Sequence, residues 1–500
     1  MKHLKTYQLF EAKTGLTKSQ EAFLDKYTKG TWSYNPATGL VDVKGDFDCR
    51  SGELKDFKGV KFGKVSGNFY CSNNNLTSLA GGPQEVRGNF DCYDNKLTSL
   101  AGGPQEVGGN FYCSNNKLTS LKGAPQEVGG SFGCSNNKLT SLKGAPQEVG
   151  GDFYCRNNNL TSLAGGPQVV RGGFGCSNNN LTSLKGGPQE VGGNFACSYN
   201  NLTSLAGGPQ GVGGDFDCDD NTNKLTSLEG APQVVGGNFV CRGNNLTSLK
   251  GAPQEVGGSF NCRNNNLTSL AGAPQKVGGN FVCRGNNLTS LEGAPQEVGG
   301  DFDCSYNNLT SLEGAPQVVR GNFYCSGNEL TSLKGGPQEV GGSFNCRNNN
   351  LTSLAGAPQV VRGGFGCSNN NLTSLAGAPQ EVGWGFYCRN NNLTSLAGAP
   401  QKVGRDFICD AFELTNREWN LEGWLKVLKE GTPEAQKLIS TLLSVEELNK
   451  EIQKDPAGMI MKLKVVWNDE NFRETRAKLV WPKGYGDSAD LVGDLDDVGF

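Results

Sequence analysis

The sequence LTSLAGGPQEVGGNFYCSNNK, residues 97–117, recurs almost unchanged along most of the chain. Its first four residues occur sixteen times, from residues 76–79 to residues 393–396, at a step of 21 residues. Only the step from Leu202 to Leu225 is longer, at 23 residues. A fixed period of this length indicates a solenoid, in which each repeat forms one coil and neighbouring coils bury a shared core.

The constant apolar residues of the unit predict which side of each coil faces inward. Phe111 and Cys113 alternate with a variable residue, as in a short half-buried strand. Asn116 follows three residues after the cysteine, where an amide can donate to and accept from backbone groups in a turn. The pattern therefore predicts two structural ladders that run from coil to coil, and their first regular members are Asn95, Asn116, Asn137, Cys92, Cys113 and Cys134.

All 18 cysteines occupy one column, one to a coil. Neighbouring cysteines in register would have parallel Cα–Cβ vectors, which is poor geometry for a disulfide. We expect buried free thiols, which favour a reducing compartment. The N-terminus has no apolar core of signal-peptide length, and no segment has the roughly 20 apolar residues of a membrane helix. We therefore expect a non-secreted, cytoplasmic protein that does not bind membranes.

Three regions differ in composition. Residues 1–45 are predicted to cap the solenoid, with a helix that Thr17 or Ser19 begins and a hairpin around Asn35-Pro36. Residues 46–410 are predicted to form a solenoid of about 18 coils, the count following from the repeat. Residues 411–500 are predicted to form an α-helical cap or domain with an acidic tail, because capping boxes begin at Thr415 and Ser444.

The repeat resembles a known class of solenoid. Phe-x-Cys-x-x-Asn-x-Leu-x-x-Leu resembles the core of leucine-rich repeats, and Asn-x-Leu-Thr-Ser-Leu followed by Pro is similar to the short bacterial Leu-Pro subclass. The GAPQEVGG version, after the start MKHLKTY, is similar to repeat proteins encoded by tailed phages. The resemblance implies a leucine-rich-repeat-like stack with one parallel β-sheet. Phe, Cys and Gly-Ala-Pro replace residues common in that class, so a triangular parallel β-helix with Leu-Thr-Ser-Leu as a second strand remains an alternative.

The sequence offers little catalytic chemistry. Its one histidine is His3, and no Cys-x-x-Cys motif occurs. These features argue against histidine-dependent nucleophilic catalysis and against zinc sites. The formal net charge of −3 argues against a general nucleic-acid binder. We therefore predict a protein that is not an enzyme and has no metal, no cofactor and no nucleic-acid partner.

The outward strand positions, such as Asn110, Tyr112 and Ser114, vary between coils while the inward positions do not. Tyrosine and arginine commonly anchor protein interfaces. The candidate partner-binding residues are Tyr112, Tyr154, Asp215, Asp217, Arg242, Arg263, Arg284, Asp303 and Tyr324. The sequence thus predicts a protein-binding solenoid that uses the outward face of its sheet. The alternative is a phage structural or host-recognition component, present in the infected host or the virion and attached through residues 411–500. The sequence identifies neither the partner nor an oligomeric state.

Overall fold

The computed structural model describes residues 15–221, 224–393, 398–405 and 407–409, together with 450, 453 and 454. The predicted C-terminal helices that begin near Thr415 and Ser444 lie outside these residues. The chain divides into two compact units, of which the first ends at Asn266 and the second begins at Leu267. The described part of each unit is a parallel β-solenoid.

The first unit opens with the predicted helix and hairpin. Helix α1 (Lys18–Tyr27) begins after Thr17, which forms a capping box with Gln20. Strand β1 (Thr28–Asn35) follows at once and pairs antiparallel with strand β2 (Leu40–Asp48). Thr17 satisfies the orphan backbone donors of the first turn, so the predicted helix and its capping residue are confirmed.

The helix covers the end of the apolar core. The ring centroid of Phe23 lies 5.6 Å from that of Phe47, the first phenylalanine of the stack. Tyr27 approaches the same ring at 6.1 Å. A terminal coil would otherwise expose its apolar end to water, and these aromatic contacts prevent that exposure.

Strand β2 starts two parallel columns of strands in the first unit. Val41 pairs with Phe62 of strand β3 (Phe62–Val65), whereas Phe47 pairs with Phe69. The column that continues from β3 consists of short strands ending in valine, here called Val strands. They are Glu85–Val86, Glu106–Val107, Glu127–Val128, Glu148–Val149, Val169–Val170, Glu190–Val191, Gly211–Val212, Val234–Val235 and Glu255–Val256.

The second column of the first unit consists of strands that begin with phenylalanine, here called Phe strands. They are Phe69–Tyr70, Phe90–Asp91, Phe111–Tyr112, Phe132–Gly133, Phe153–Tyr154, Phe174–Gly175, Phe195–Ala196, Phe216–Asp217, Phe239–Val240 and Phe260–Asn261. Because β2 pairs into both columns, the first unit contains one sheet that bends between each Val strand and the Phe strand after it.

The second unit repeats both columns. Its Val strands are Lys276–Val277, Glu297–Val298, Val318–Val319, Glu339–Val340, Val360–Val361, Glu381–Val382 and Lys402–Val403. Its Phe strands are Phe281–Val282, Phe302–Asp303, Phe323–Tyr324, Phe344–Asn345, Phe365–Gly366, Phe386–Cys388 and Phe407–Cys409. Pairing is parallel and in register, as Phe302 opposite Phe323 illustrates. The predicted leucine-rich-repeat-like solenoid with coils of 21 residues is confirmed.

The alternative triangular geometry is wrong in one respect that can be checked directly. The Leu-Thr-Ser-Leu segments that the structure describes contain no strand. In the first unit, Leu97 and Leu100 are buried, and the Ser99 hydroxyl accepts a hydrogen bond from the backbone N–H of Ala101 at 3.1 Å. The second strand column therefore belongs to the Val strands.

Aromatic stacking fills the core of each unit. Phe90, Phe111 and Phe132 have centroids 5.3 and 5.2 Å apart, with planes within 13° of parallel. In the second unit, Phe281 and Phe302 are 5.4 Å apart. Each such pair contributes about 0.5–1.5 kcal/mol beyond its burial, so the phenylalanine column is a main source of cohesion between coils.

The cysteine and asparagine columns also form as predicted. The cysteines from Cys49 to Cys388 are buried free thiols. Burial raises the pKa of Cys176 to about 12. In the turn, Asn116 Nδ2 donates to the carbonyls of Cys92 (3.0 Å) and Cys113 (3.1 Å). Its Oδ1 accepts from the backbone N–H of Leu97 at 2.9 Å. Asn95, Asn137, Cys92 and Cys134 occupy the equivalent positions in neighbouring coils.

Candidate binding face on the Phe strands

The outward face of each unit consists of the residue between Phe and Cys in each coil, together with the first residue after Cys. Successive strand residues point to opposite sides, so buried Phe and Cys direct the residue between them outward. In most described coils that residue is half-buried, as for Tyr112 and Tyr154. A side chain in this position lies against its neighbours and still reaches solvent.

Tyr112 and Tyr154 are each followed, one coil later, by a glycine at the same position. A Cβ atom on Gly133 would lie 2.9 Å from Cδ1 of Tyr112. A Cβ on Gly175 would lie 2.6 Å from Arg156 Nε and 3.0 Å from Cδ1 of Tyr154, so the arginine shares this space with the ring. Each ring therefore occupies the space that a side chain in the next coil would fill. The glycines allow the tyrosine rings to lie over the sheet.

Hydrogen bonds fix these rings. The Tyr154 hydroxyl donates to Asp152 Oδ2 at 2.9 Å, and the hydroxyl of Tyr112 is hydrogen-bonded to Ser131. Burial raises the pKa of both tyrosines. Because the hydroxyls are committed, it is the ring faces that a ligand can contact, and little side-chain entropy remains to be lost on binding.

An open groove of about 440 Å³ crosses this part of the first unit. The guanidinium of Arg156 lies 5.3 Å from the centroid of the Tyr154 ring and so helps to hold that ring in place. The lining residues are Asp91, Tyr93, Tyr112, Ser114, Gly133, Ser135, Tyr154 and Arg156. Of the predicted site residues, the groove therefore brings together Tyr112 and Tyr154.

Asp217 and Arg242 meet through a third residue, Asp219. Asp219 is almost fully buried; it pairs with Arg242 Nε and accepts from the Arg242 backbone N–H at 2.9 Å. Burial and the neighbouring Asp217 raise the pKa of Asp219 to about 6, against the opposing effect of Arg242. Asp217 itself accepts from the Ser198 hydroxyl at 2.5 Å. Arg242 is therefore already engaged by its own chain.

Asp215 and Asn110, each the residue just before a Phe strand, use a side-chain oxygen to bind the next coil. Asp215 Oδ1 accepts from the backbone N–H of Asn238 at 2.7 Å and from its side-chain amide at 3.0 Å. Asn110 Oδ1 likewise accepts from the backbone N–H of Ser131 at 2.7 Å. The residue just before each Phe thus forms a further polar ladder between coils, because the bend there leaves backbone donors that need an acceptor.

Arg263 of the first unit is less completely paired. Its backbone N–H donates to Asn261 Oδ1 at 3.2 Å. Its Nε is buried and has no hydrogen-bond partner among the described residues. Arg347, after Asn345 in the second unit, has the same arrangement and the same unpaired Nε. A buried donor without an acceptor is costly, at about 1–3 kcal/mol.

The remaining predicted residues lie in the second unit. The guanidinium of Arg284 lies 4.5 Å from the centroid of the Tyr306 ring. Asp303 Oδ1 accepts from the backbone N–H of Ser305 at 3.0 Å. Tyr324 is half-buried, and burial together with Asp301 and Asp303 raises its pKa. All three predicted residues are on the outward face.

Sequence reasoning missed three exposed tyrosines, of which Tyr93, the first residue after Cys92, is 40% exposed and lines the groove. Tyr199 and Tyr306, each the second residue after Cys, have left-handed φ angles of 55° and 54° and are each 52% exposed. The other regular coils have Asn, Asp or Gly there, the residues that tolerate this conformation. The exception in the column was visible in the sequence, but the column's backbone conformation was not.

Two further properties bear on the class of protein. Within the described residues, no group of three His, Cys, Asp or Glu side chains is arranged to hold a metal ion. No helix in the described part of the chain is long and apolar enough to cross a membrane.

Comparison with known proteins gives structural likenesses only. No protein-family model matches the sequence, and no curated protein matches it. The fold is similar to YopM from Yersinia enterocolitica WA-314, with 18% identity, a TM-score of 0.44, and coverage of 73% of this chain and 91% of that chain. It is also similar to YopM of Yersinia pestis, described as a leucine-rich effector protein, with 20% identity, a TM-score of 0.38, and coverage of 73% and 88%.

A third solved structure is the functional domain of InlJ from Listeria monocytogenes, described as including a cysteine ladder. The identity is 19%, the TM-score is 0.31, and the alignment covers 54% of this chain and 62% of that chain. At such TM-scores the alignments carry no argument about function. The proposed function therefore rests on the geometry of the outward face.

Proposed function

We propose that this protein is a non-catalytic solenoid that binds a protein partner through the outward face of its Phe strands. The observation that carries the proposal is the pair Arg263 and Arg347, whose buried Nε atoms have no acceptor among the described residues. Each Nε is covered in the free protein, so a partner carboxylate that pairs with the guanidinium would have to draw it outward; the paired Nε would then lose its desolvation cost. Arginine is also the side chain best suited to bidentate contacts at interfaces.

The chemistry of the cysteines supports the non-catalytic part of the proposal. A cysteine nucleophile has to be a thiolate, which needs a lowered pKa and access to solvent. Here burial raises the pKa of Cys49, Cys176 and Cys262 to about 12. These thiols remain protonated at neutral pH and serve as small apolar side chains of the core.

To test the proposal, the immobilised full-length protein is incubated with a cell lysate and the proteins that it captures are identified. The variants are Arg263→Ala and Arg347→Ala, with Arg171→Ala as the matched control because Arg171 follows a Val strand and lies off the outward face. We expect a captured protein to be lost with one or both outward variants and retained with the control. Equal capture by all variants, or equal loss with Arg171→Ala, would contradict the proposal. Attachment to a phage particle through residues 411–500 stays a prediction, because none of the contacts described above involves those residues.

A further inference from the structure

In four successive coils of the first unit the outward position alternates between tyrosine and glycine. The residues are Tyr112, Gly133, Tyr154 and Gly175. Each tyrosine ring lies over the glycine of the next coil and also lines the open groove. The groove therefore has two aromatic surfaces, one on every second coil.

The spacing of these surfaces is set by the coils. Consecutive core rings, Phe111 to Phe132 and Phe132 to Phe153, are 5.2 and 5.3 Å apart. Adjacent strands lie about 4.8 Å apart, so equivalent atoms of Tyr112 and Tyr154 repeat after roughly 10 Å. A β-1,4-linked chain of pyranose sugars turns over at each linkage and presents the same face once per disaccharide, over nearly the same length. One tyrosine therefore matches every second sugar.

The polar groups of the groove fit the rim of a sugar. Ser114 Oγ accepts from the backbone N–H of Ser135 at 3.0 Å, and Ser135 Oγ accepts from that of Arg156 at 3.1 Å. Each hydroxyl keeps its own proton to donate to a ligand oxygen. Asp91 and Arg156 add an acceptor and a donor at opposite sides of the groove.

This combination distinguishes sugars from other planar ligands. A pyranose has an apolar C–H face that packs on an aromatic ring and a rim of hydroxyls that need hydrogen bonds. Asp91 Oδ1 accepts from the backbone N–H of Tyr93, and an aromatic side chain of a partner protein would cover the tyrosines without using the serine hydroxyl protons or the second Asp91 oxygen. We propose that the groove between Tyr112 and Tyr154 binds a β-1,4-linked glycan, with one sugar stacked on each tyrosine ring and one sugar between the two rings.

Calorimetric titration of the full-length protein with soluble hexasaccharides tests this proposal. The probes are β-1,4-linked glucose, β-1,4-linked N-acetylglucosamine and, as a control, α-1,4-linked glucose, whose linkage does not present one face at this interval. At least one β-1,4-linked hexamer is expected to bind, and the α-1,4-linked hexamer is not. Tyr112→Ala and Tyr154→Ala are each expected to weaken binding about ten-fold or more.

Two controls separate stacking from folding. Tyr112→Phe keeps the ring and is expected to retain binding within about two-fold. Tyr387→Ala removes an outward tyrosine that has Asn345 rather than tyrosine two coils before it, and should leave binding unchanged. The proposal is overturned if neither β-1,4-linked hexamer binds, if the α-1,4-linked hexamer binds equally, or if Tyr387→Ala has the same effect. Glycan binding does not depend on Arg263 or Arg347, so its failure leaves the proposed protein-binding function standing.

Discussion

The second residue after each cysteine is a restrictive backbone position of the coil. It has a left-handed φ in the described regular coils, which explains why Asn-Asn follows Cys so often: the first Asn tolerates the conformation and the second forms the ladder. Tyr199 and Tyr306 tolerate it poorly. A strained backbone at a residue with an exposed aromatic side chain often accompanies function.

Replacing Tyr199 by asparagine is therefore expected to stabilise the protein. The free energy of unfolding should rise by about 1 kcal/mol, since a left-handed φ costs an ordinary side chain about 1–2 kcal/mol. Each variant also loses one contact, the packing of Tyr306 on Arg284 or the hydrogen bond between Tyr199 and Asp220, so both gains should be at the lower end of this range. Urea unfolding curves of the two variants and the wild type measure the difference. A loss of stability with Tyr199→Asn would show that the ring makes contacts that outweigh the strain.

The raised pKa of Asp219 predicts a pH dependence of stability. An unfolded aspartate ionises near its ordinary pKa of 3.8, whereas burial holds the folded value at about 6. Between these values the folded state binds the extra proton, so wild-type stability should fall as pH rises from about 4 to about 6. Asp219→Asn lacks this titration. Melting temperatures of both proteins across this range measure the effect, and a constant difference between them would contradict the predicted pKa.

At the scale of the coil, the Gly-Gly pair before each Phe strand allows neighbouring coils to approach closely. Gly108 and Gly109 do not have a positive φ. A Cβ on Gly108 would instead clash with the carbonyl oxygen of Arg87 in the preceding coil. In the second unit, Trp384 occupies the second position of the pair, whereas Gly383 keeps the first and would clash with the carbonyl oxygen of Arg362. Arg87 and Arg171 occupy the first position in two other coils, whereas the glycine two residues before Pro, such as Gly123 with a φ of 91°, is constant in the regular coils.

This difference predicts opposite effects of the same substitution at two glycines. Gly123→Ala should lower the free energy of unfolding by about 1–3 kcal/mol, because a Cβ there would lie 2.8 Å from the backbone nitrogen of Ala101 and the φ of 91° disfavours any side chain. Gly211, at the outward position of a Val strand, would place a Cβ with no atom within 4 Å. Gly211→Ala should therefore be neutral or stabilise by about 0.4–1 kcal/mol. Chemical denaturation of both variants measures the contrast, and similar losses in both would rule out the backbone conformation and close packing at Gly123 as the cause.

The constant columns of the coil were predictable from sequence because each has one dominant physical reason. Phe111, Cys113 and Asn116 are buried or half-buried apolar and amide groups whose periodicity alone indicates their role. The Val strands were not predicted, because each supplies a single inward residue before a glycine-rich turn, whereas Phe and Cys two residues apart give the Phe strands a detectable alternation. The role of Asp215 was also missed, because an acceptor for the next coil and an exposed charge have the same appearance in sequence.

At the scale of the whole molecule, the sequence predicted which positions face outward but not which contacts their side chains make. It placed Tyr112 and Tyr154 on one face. Only the structure shows that Gly133 and Gly175 allow the two tyrosine rings to lie over the sheet. It grouped Arg242 with Arg263 and Arg284, whereas the structure pairs Arg242 with buried Asp219 and leaves the Arg263 Nε unpaired. Side-chain pairing depends on contacts between coils, which cannot be seen by comparing equivalent positions of the repeats in sequence.

The central claim is that the inward columns form a scaffold and the outward face of the Phe strands binds the partner. Hydroxyl-radical footprinting of the full-length protein, free and with a captured protein partner, tests it most directly. The predicted result is reduced labelling at outward residues, among them Arg263, Tyr324 and Arg347, with unchanged labelling of exposed Val169 and Val234 on the Val strands. Protection confined to the Val strands, with the outward residues labelled as in the free protein, would contradict the account.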